Sequence, residues 1–297
     1  MTGKYQYGLG CGLDVVGCGT EIVVRADRSL NHSILRDRLD SEIDNRRIRY
    51  MPDKTVKDGW SMLMKFGSEK NLRKLQAGQL YMKNLKYYVD LEKTTDDEDV
   101  GDKYDGKMML QDVKISMYTV GTHEFIAQFD APSAAMNLGY LGCPVLCMFM
   151  FDYRNHVEEH LEGENLTVKY QFTEEQLKKM PNFGDSVLII KNGEEFVNRV
   201  KKGLLDAGYR FTRDHVQYYA FNNVEHLKQV QGDNSRIAFW KREKYSYQQE
   251  YRFLIHDFVD DYLSVEIGDI SDITELLKTE ELLNTYLKIT FKIKEIQ

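Results

Sequence analysis

Seven consecutive apolar residues, Val145-Leu-Cys-Met-Phe-Met-Phe151, constrain this chain more than any other segment. A strand with one wet face alternates apolar and polar positions, whereas a strand that is apolar throughout has to be covered on both faces. The run therefore predicts a central strand with structure packed on either side. Further segments supply its neighbours: Ser61 to Phe66, Leu80 to Met82, Leu166 to Tyr170, Ser186 to Ile190, His215 to Tyr219, Tyr251 to Ile255 and Lys288 to Ile293. Helices are expected at Glu69 to Ala77, between a Ser68 cap and a terminating Gly78, and at Leu85 to Leu91. Others are expected at Glu174 to Met180, Glu194 to Ala207 and Asp272 to Leu287. Strands and helices alternate irregularly rather than as βαβ units. The class is mixed α+β.

At 297 residues the chain can bury the core of one large domain or two small ones. Gly8, Gly10, Gly12, Gly17 and Gly19 crowd its start, but no strand precedes them and position 13 is Leu. That excludes a nucleotide-binding glycine loop and favours an arm or small hairpin. Thr20 to Ala26 reads as a strand, Ser29 to about Arg47 as a polar helix, and Pro52 to Gly59 as a joint. Residues 1–58 are thus expected to form an N-terminal extension, and residues 59–297 the α+β domain. Four cysteines are too few for a disulfide scaffold. The apolar stretch from Leu138 to Phe151 is interrupted by Pro144 and falls short of the roughly 20 residues a spanning helix needs. With no secretory signal at the start, the expectation is a cytoplasmic protein without a membrane partner. The 40 basic and 47 acidic side chains give a net charge of −7. Such a balance disfavours a surface that tracks nucleic acid throughout, while leaving room for a local basic groove.

His156-Val-Glu-Glu-His160 matches an H-x-x-E-H zinc pattern, which needs both histidines one helical turn apart on one face. Its acidic, glycine-bounded surroundings predict a short solvated turn of helix instead, and no metal is expected. The spacings of Cys11 with Cys18 and of Cys143 with Cys147 do not suit zinc, and Cys147 reads as a core residue. No nucleophile elbow, phosphate-binding loop or kinase signature occurs. The acidic run from Asp96 to Gly106 lacks calcium-loop spacing and reads as a solvated turn. Lys201, Lys202, Arg210 and Arg213, with Tyr209 and Phe211, read either as a basic-aromatic surface or as a solvated helix end and strand edge. What remains is Phe239 to Ile255, where Glu250 opens an apolar strand beside two tyrosines and two glutamines. A carboxylate there suits stabilisation of positive charge developing on a sugar. The plainer alternative is that Glu250 and Arg252 form cross-strand pairs on an exposed face.

Lys241-x3-Tyr245-x-Tyr247-x2-Glu250-Tyr251-Arg252 resembles a signature near the end of bacterial and phage-associated proteins of the DUF2971 type. The order of Met64-Lys-Phe-Gly-Ser-Glu-Lys-Asn-Leu, Leu80-Tyr-Met-Lys-Asn-Leu-Lys-Tyr-Tyr and Gly101-Asp-Lys-Tyr-Asp-Gly is also similar to that group. The resemblance covers about residues 60 to 270, and the same layout looks like a distant version of the ADP-ribosyltransferase fold. It implies a mostly antiparallel, split sheet with flanking helices. By the same resemblance Lys65 takes the basic position that binds NAD, Asn84 the polar one, and Gln248-x-Glu250 the catalytic pair. Glu250 would hold the nicotinamide ribose, Gln248 would orient the acceptor, and Tyr245 or Tyr247 would stack on the nicotinamide or an acceptor base. Lys65 and Asn84 depart from the usual Arg or His and Ser, and a lysine cannot make the bidentate phosphate contact of an arginine. The implied function is an NAD-consuming toxin or antiviral effector acting on a nucleic-acid or protein acceptor, with an antitoxin or other partner protein. The alternative is an inactive binding module of the same fold in phage–host conflict.

Overall fold

The structure is a computed structural model that describes residues 21–24, 62–95, 100–163, 165–222 and 224–292. Its first strands in chain order are β1 (Glu21–Val24), β2 (Met62–Gly67), β3 (Gln79–Lys83), β4 (Lys107–Tyr118), β5 (Phe125–Asn137), β6 (Val145–Phe151), β7 (His156–Glu162) and β8 (Asn165–Tyr170). They are followed by β9 (Ser186–Ile190), β10 (Phe211–His215), β11 (Gln217–Tyr219), β12 (Trp240–Arg242), β13 (Glu250–Ile255), β14 (Tyr262–Glu266), β15 (Thr274–Lys278) and β16 (Leu287–Lys292). The helices are α1 (Glu69–Gln76), α2 (Leu85–Thr95), α3 (Glu174–Lys179), α4 (Gly193–Asp206), α5 (Val224–Gly232) and α6 (Thr279–Leu283).

Six strands form the central sheet in the order β10-β13-β6-β2-β9-β15, every neighbouring pair antiparallel. The wholly apolar strand β6 lies inside it, as its sequence requires. Leu146, Met148 and Met150 pack with Leu63, Leu188 and Phe253 against Leu72 and Leu75 of α1 and Phe196, Val200 and Leu204 of α4. On the other face Phe149 and Phe151 join Met64 and Val187 against Tyr170, Phe172, Met180 and the Leu282–Leu283 pair of α6. Each such side chain contributes about 1.5–3 kcal/mol on burial, so the double cover is what fixes β6 in place. Ser68 occupies the N-cap of α1, without a side-chain cap bond, and Gly78 follows its end at φ +104°. A Cβ on Gly78 would sit 2.5 Å from the Gly268 carbonyl oxygen, so glycine is needed there for room as well as for its dihedral angle.

β2 changes partner along its length. The β2–β6 ladder ends at Met64 opposite Phe149, while β2 continues along β9 from Met64 to Gly67. Beyond that point β2 and β6 part, and the sheet is split between them.

Several sequence expectations need correction. Asp272 to Leu287 is not a helix: a 3₁₀ turn at Ser271–Ile273 leads into β15, which pairs along β9, and only Thr279–Leu283 is helical. His215 to Tyr219 is two strands that change partner: β10 pairs with β13 as far as the bond from the Val216 amide to the Glu250 carbonyl opposite it (2.8 Å), and β11 then pairs parallel with β12. The long β4–β5 hairpin has no counterpart among the segments read from the sequence. His156 to His160 lies in the exposed strand β7, paired with β8, not in a turn of helix. Three residues of strand lie between its histidines and space them by about 13 Å, not by the single helical turn the zinc pattern needs. Glu21–Val24 is a strand, and it pairs parallel to Lys114–Met117 of β4. The expected helix from Ser29, the joint from Pro52, the glycine-rich start and Cys11 and Cys18 all lie outside the described residues. Among the described residues no helix is long and apolar enough to cross a membrane.

Candidate functional site

A pocket of about 90 Å³ opens at the split between β2 and β6, beside the first residue of β13. Lys65 from β2, Cys147 from β6, Lys241 from β12, Glu250 and Arg252 from β13, Gln248 and Asp105 line it, with Phe66, Phe149, Met180 and Phe183 as its apolar wall. On a measure in which one water takes about 10–15 Å³, this is room for several waters or one small group.

The charged floor is built around Arg252. Alternation along β13 puts Glu250, Arg252 and Leu254 on one face, with Tyr251, Phe253 and Ile255 on the other. The Glu250–Arg252 pair is therefore side by side, but in the interior rather than on the exposed face the plainer sequence reading gives it. Arg252 Nε donates to Glu250 Oε2 (2.8 Å), and its two terminal nitrogens donate to Asp105 Oδ1 and Oδ2 (2.8 and 2.6 Å). The Ala238 carbonyl accepts a further bond from Arg252 at 2.7 Å. Lys241 Nζ donates to Glu250 Oε1 (2.7 Å) and to Gln248 Oε1 (2.5 Å). Both oxygens of Glu250 are thus held by cations. Burial alone would push its carboxyl up, but the charges and hydrogen bonds of Arg252 and Lys241 hold it well below the usual carboxylate range. Asp105 moves the other way: burial pushes it up, and its share of the Arg252 charge does not fully offset this.

Lys65 stands on the other side of the split. Its amine donates to the Cys147 carbonyl at 2.6 Å, a backbone acceptor next to the point where the ladder with β2 ends. Burial lowers the lysine from its ordinary value, against opposing influences from Cys147 and Glu250. The Cys147 thiol is pushed up to about 12, mainly by burial, so it is protonated at neutral pH.

The approach to Glu250 is locked by side-chain amides. Gln249 adopts φ +40°, a left-handed conformation that non-glycine residues rarely take. Gln176 Nε2 donates to Gln249 Oε1 (2.6 Å) and to the Tyr247 carbonyl (3.0 Å), while Asn155 donates to Gln176 Oε1 (2.8 Å). The Glu250 amide is held by the Tyr218 hydroxyl at 2.9 Å. Strain of this kind persists where its surroundings over-determine it.

Of the residues singled out from the sequence, Lys65, Gln248 and Glu250 meet at the pocket. Asn84 does not. Its Nδ2 donates to the Val259 and Asp260 carbonyls (3.1 and 3.0 Å), and its Oδ1 accepts from the Tyr87 amide (3.0 Å) at the start of α2. Tyr245 and Tyr247 are buried outside the pocket lining. The Lys241 amine lies 4.7 Å from the Tyr245 ring centre and the Lys179 amine 4.3 Å from that of Tyr247. The Tyr245 hydroxyl donates to Glu92 (3.4 Å) and accepts from Arg242 (3.1 Å). The acidic run requires correction as well: Asp102 and Asp105 are buried ion-pair partners, not residues of a solvated turn. Lys241, Arg252 and Asp105 all stand in the segments that carry the resemblance, but without a role there, and the pairing of Asp105 is hidden because its partner is far along the chain. Among the described residues no three His, Cys, Asp or Glu side chains gather so that they could hold a metal ion. No family model matches this chain, and neither a curated protein nor a solved structure matches it.

Proposed function

We propose that this chain is a ligand-binding domain whose pocket at the split holds a small molecule without turning it over. The observation that supports this is the occupancy of Glu250: Lys241 takes one oxygen and Arg252 the other. A carboxylate stabilises an oxocarbenium ion when its charge is aimed at the developing cation. Here that charge is already offset by two contacting cations, and a sugar cation in the pocket would face Lys65 as well. In the bacterial and phage-associated setting that the signature implies, such a domain would serve as a sensing or partner-binding module in phage–host conflict.

A second reading has its own support. Lys65 and the Gln248-x-Glu250 pair, far apart in sequence, meet in one pocket as the resemblance to ADP-ribosyltransferases implies. On that reading NAD is the substrate, Glu250 acts at the nicotinamide ribose, and a nucleic acid or protein is the acceptor. One experiment separates the two. Adenine-labelled NAD is incubated with the protein alone and with RNA, DNA or cell lysate, alongside Glu250→Gln. We expect no nicotinamide release in any mixture; label on one acceptor class, lost in Glu250→Gln, would establish the transferase.

A further inference from the structure

We infer that the ligand of this pocket carries a small oxyanion on a flat apolar group, and that the Lys65 amine receives it. This rests on the reading of the pocket as a ligand site and names the chemistry it selects.

Three cationic side chains line the pocket, Lys65, Lys241 and Arg252, against two anionic ones, Asp105 and Glu250. The two acids are consumed by Arg252 and Lys241 within the floor. Lys65 differs from the other two cations: its hydrogen-bond acceptor is a neutral backbone carbonyl. An ammonium has three donors, and one of them suffices for that carbonyl. Burial makes the amine costly to charge where it stands, so an anion beside it offsets a penalty that water does not reach well. Phe66, Phe149 and Phe183 supply the apolar surface for a planar group next to that charge. The enclosed part of the pocket is of a size for one small planar group with its oxyanion. A cationic nicotinium ring meets the wrong charge here.

Isothermal titration with benzoate, its neutral isostere benzamide and inorganic phosphate tests this on the full chain and on Lys65→Met. We expect benzoate to bind at least tenfold more tightly than benzamide, and Lys65→Met to lose that preference while keeping its affinity for benzamide. Competition by inorganic phosphate would assign selection to the oxyanion alone; preference for benzoate without competition would assign it to an aromatic carboxylate. Benzamide binding as tightly as benzoate to the parent chain would overturn the inference and leave the ligand site standing. Binding of none of the three at millimolar concentration would overturn both. Should Lys65→Met not fold, Lys65→Arg is the second variant, and loss of the benzoate preference in it would count against the inference no less than equal binding in the parent.

Discussion

Two arginines on successive strands, Arg242 of β12 and Arg252 of β13, reach two aspartates of one loop, Asp102 and Asp105, and the two pairings behave differently. Arg252 and Asp105 are each 1% exposed, and every polar atom of that pair is engaged. Arg242 is 14% exposed, and it divides its donors among Asp102, Glu92 and the Tyr245 hydroxyl. On its far side Asp102 Oδ2 is buried without a hydrogen-bond partner among the described residues. The first pairing is a closed interior network with the pocket above it, and the second is a looser clasp at the margin. On physical grounds enclosure, more than the count of ion pairs, should decide what it costs to remove each arginine.

The largest effect should come from breaking the closed network. Arg252→Met leaves Asp105 and Glu250 buried without their shared cation, and should cost about 3–5 kcal/mol in urea unfolding. Arg242→Met removes charged hydrogen bonds from a partly open site and should cost about 1–3 kcal/mol. Equal losses would erase the distinction. Acid sharpens it further. Glu250 has a lowered carboxyl, so its stabilisation is present above its unfolded value of about 4.3 and is lost as pH falls toward the folded one. Asp105 is raised, so its contribution runs the opposite way and is lost as pH rises through its folded value. The stability gap between the parent chain and Glu250→Gln should therefore be widest above about pH 5 and narrow below about pH 4. A gap that widens on acidification would place the low-pH loss elsewhere. The smallest effect belongs to the surface: Lys278→Ala, which breaks a solvent-screened pair with Glu69, should leave the unfolding midpoint unchanged within error.

The same contrast explains what can be read from the chain. Strands β6 and β9 are legible because continuous apolar runs between polar breaks admit few other fates, and β2 and β13 because apolar residues dominate them around a single cation, Lys65 or Arg252. Glu250 stands out because a carboxylate opening such a run is unusual. Its burial is not legible, since it depends on Lys241 and Arg252 turning inward together with an aspartate from a distant loop. That loop looks solvated for the same reason: Asp102 and Asp105 sit in a run of like charges, and only the two arginines draw them inside. The β4–β5 hairpin leaves little trace because β5 mixes Gln128, Asp130 and Ser133 among small residues and exposes half its apolar ones. β15 reads as helix because Leu276, Leu277, Leu282 and Leu283 suit both periods, and the open edge of β9 settles the matter by tertiary pairing.

The strand order of the central sheet also has a consequence for synthesis. β6 pairs with β2 on one side, which precedes it, but on the other with β13, which is translated about a hundred residues later, roughly 5–20 s at typical ribosome speeds. During that interval the emerging chain carries a seven-residue apolar segment with one backbone edge unclaimed, a template for association with other nascent chains. Chaperone engagement of the nascent polypeptide should accordingly begin once Phe151 leaves the exit tunnel and end only when Ile255 has followed it.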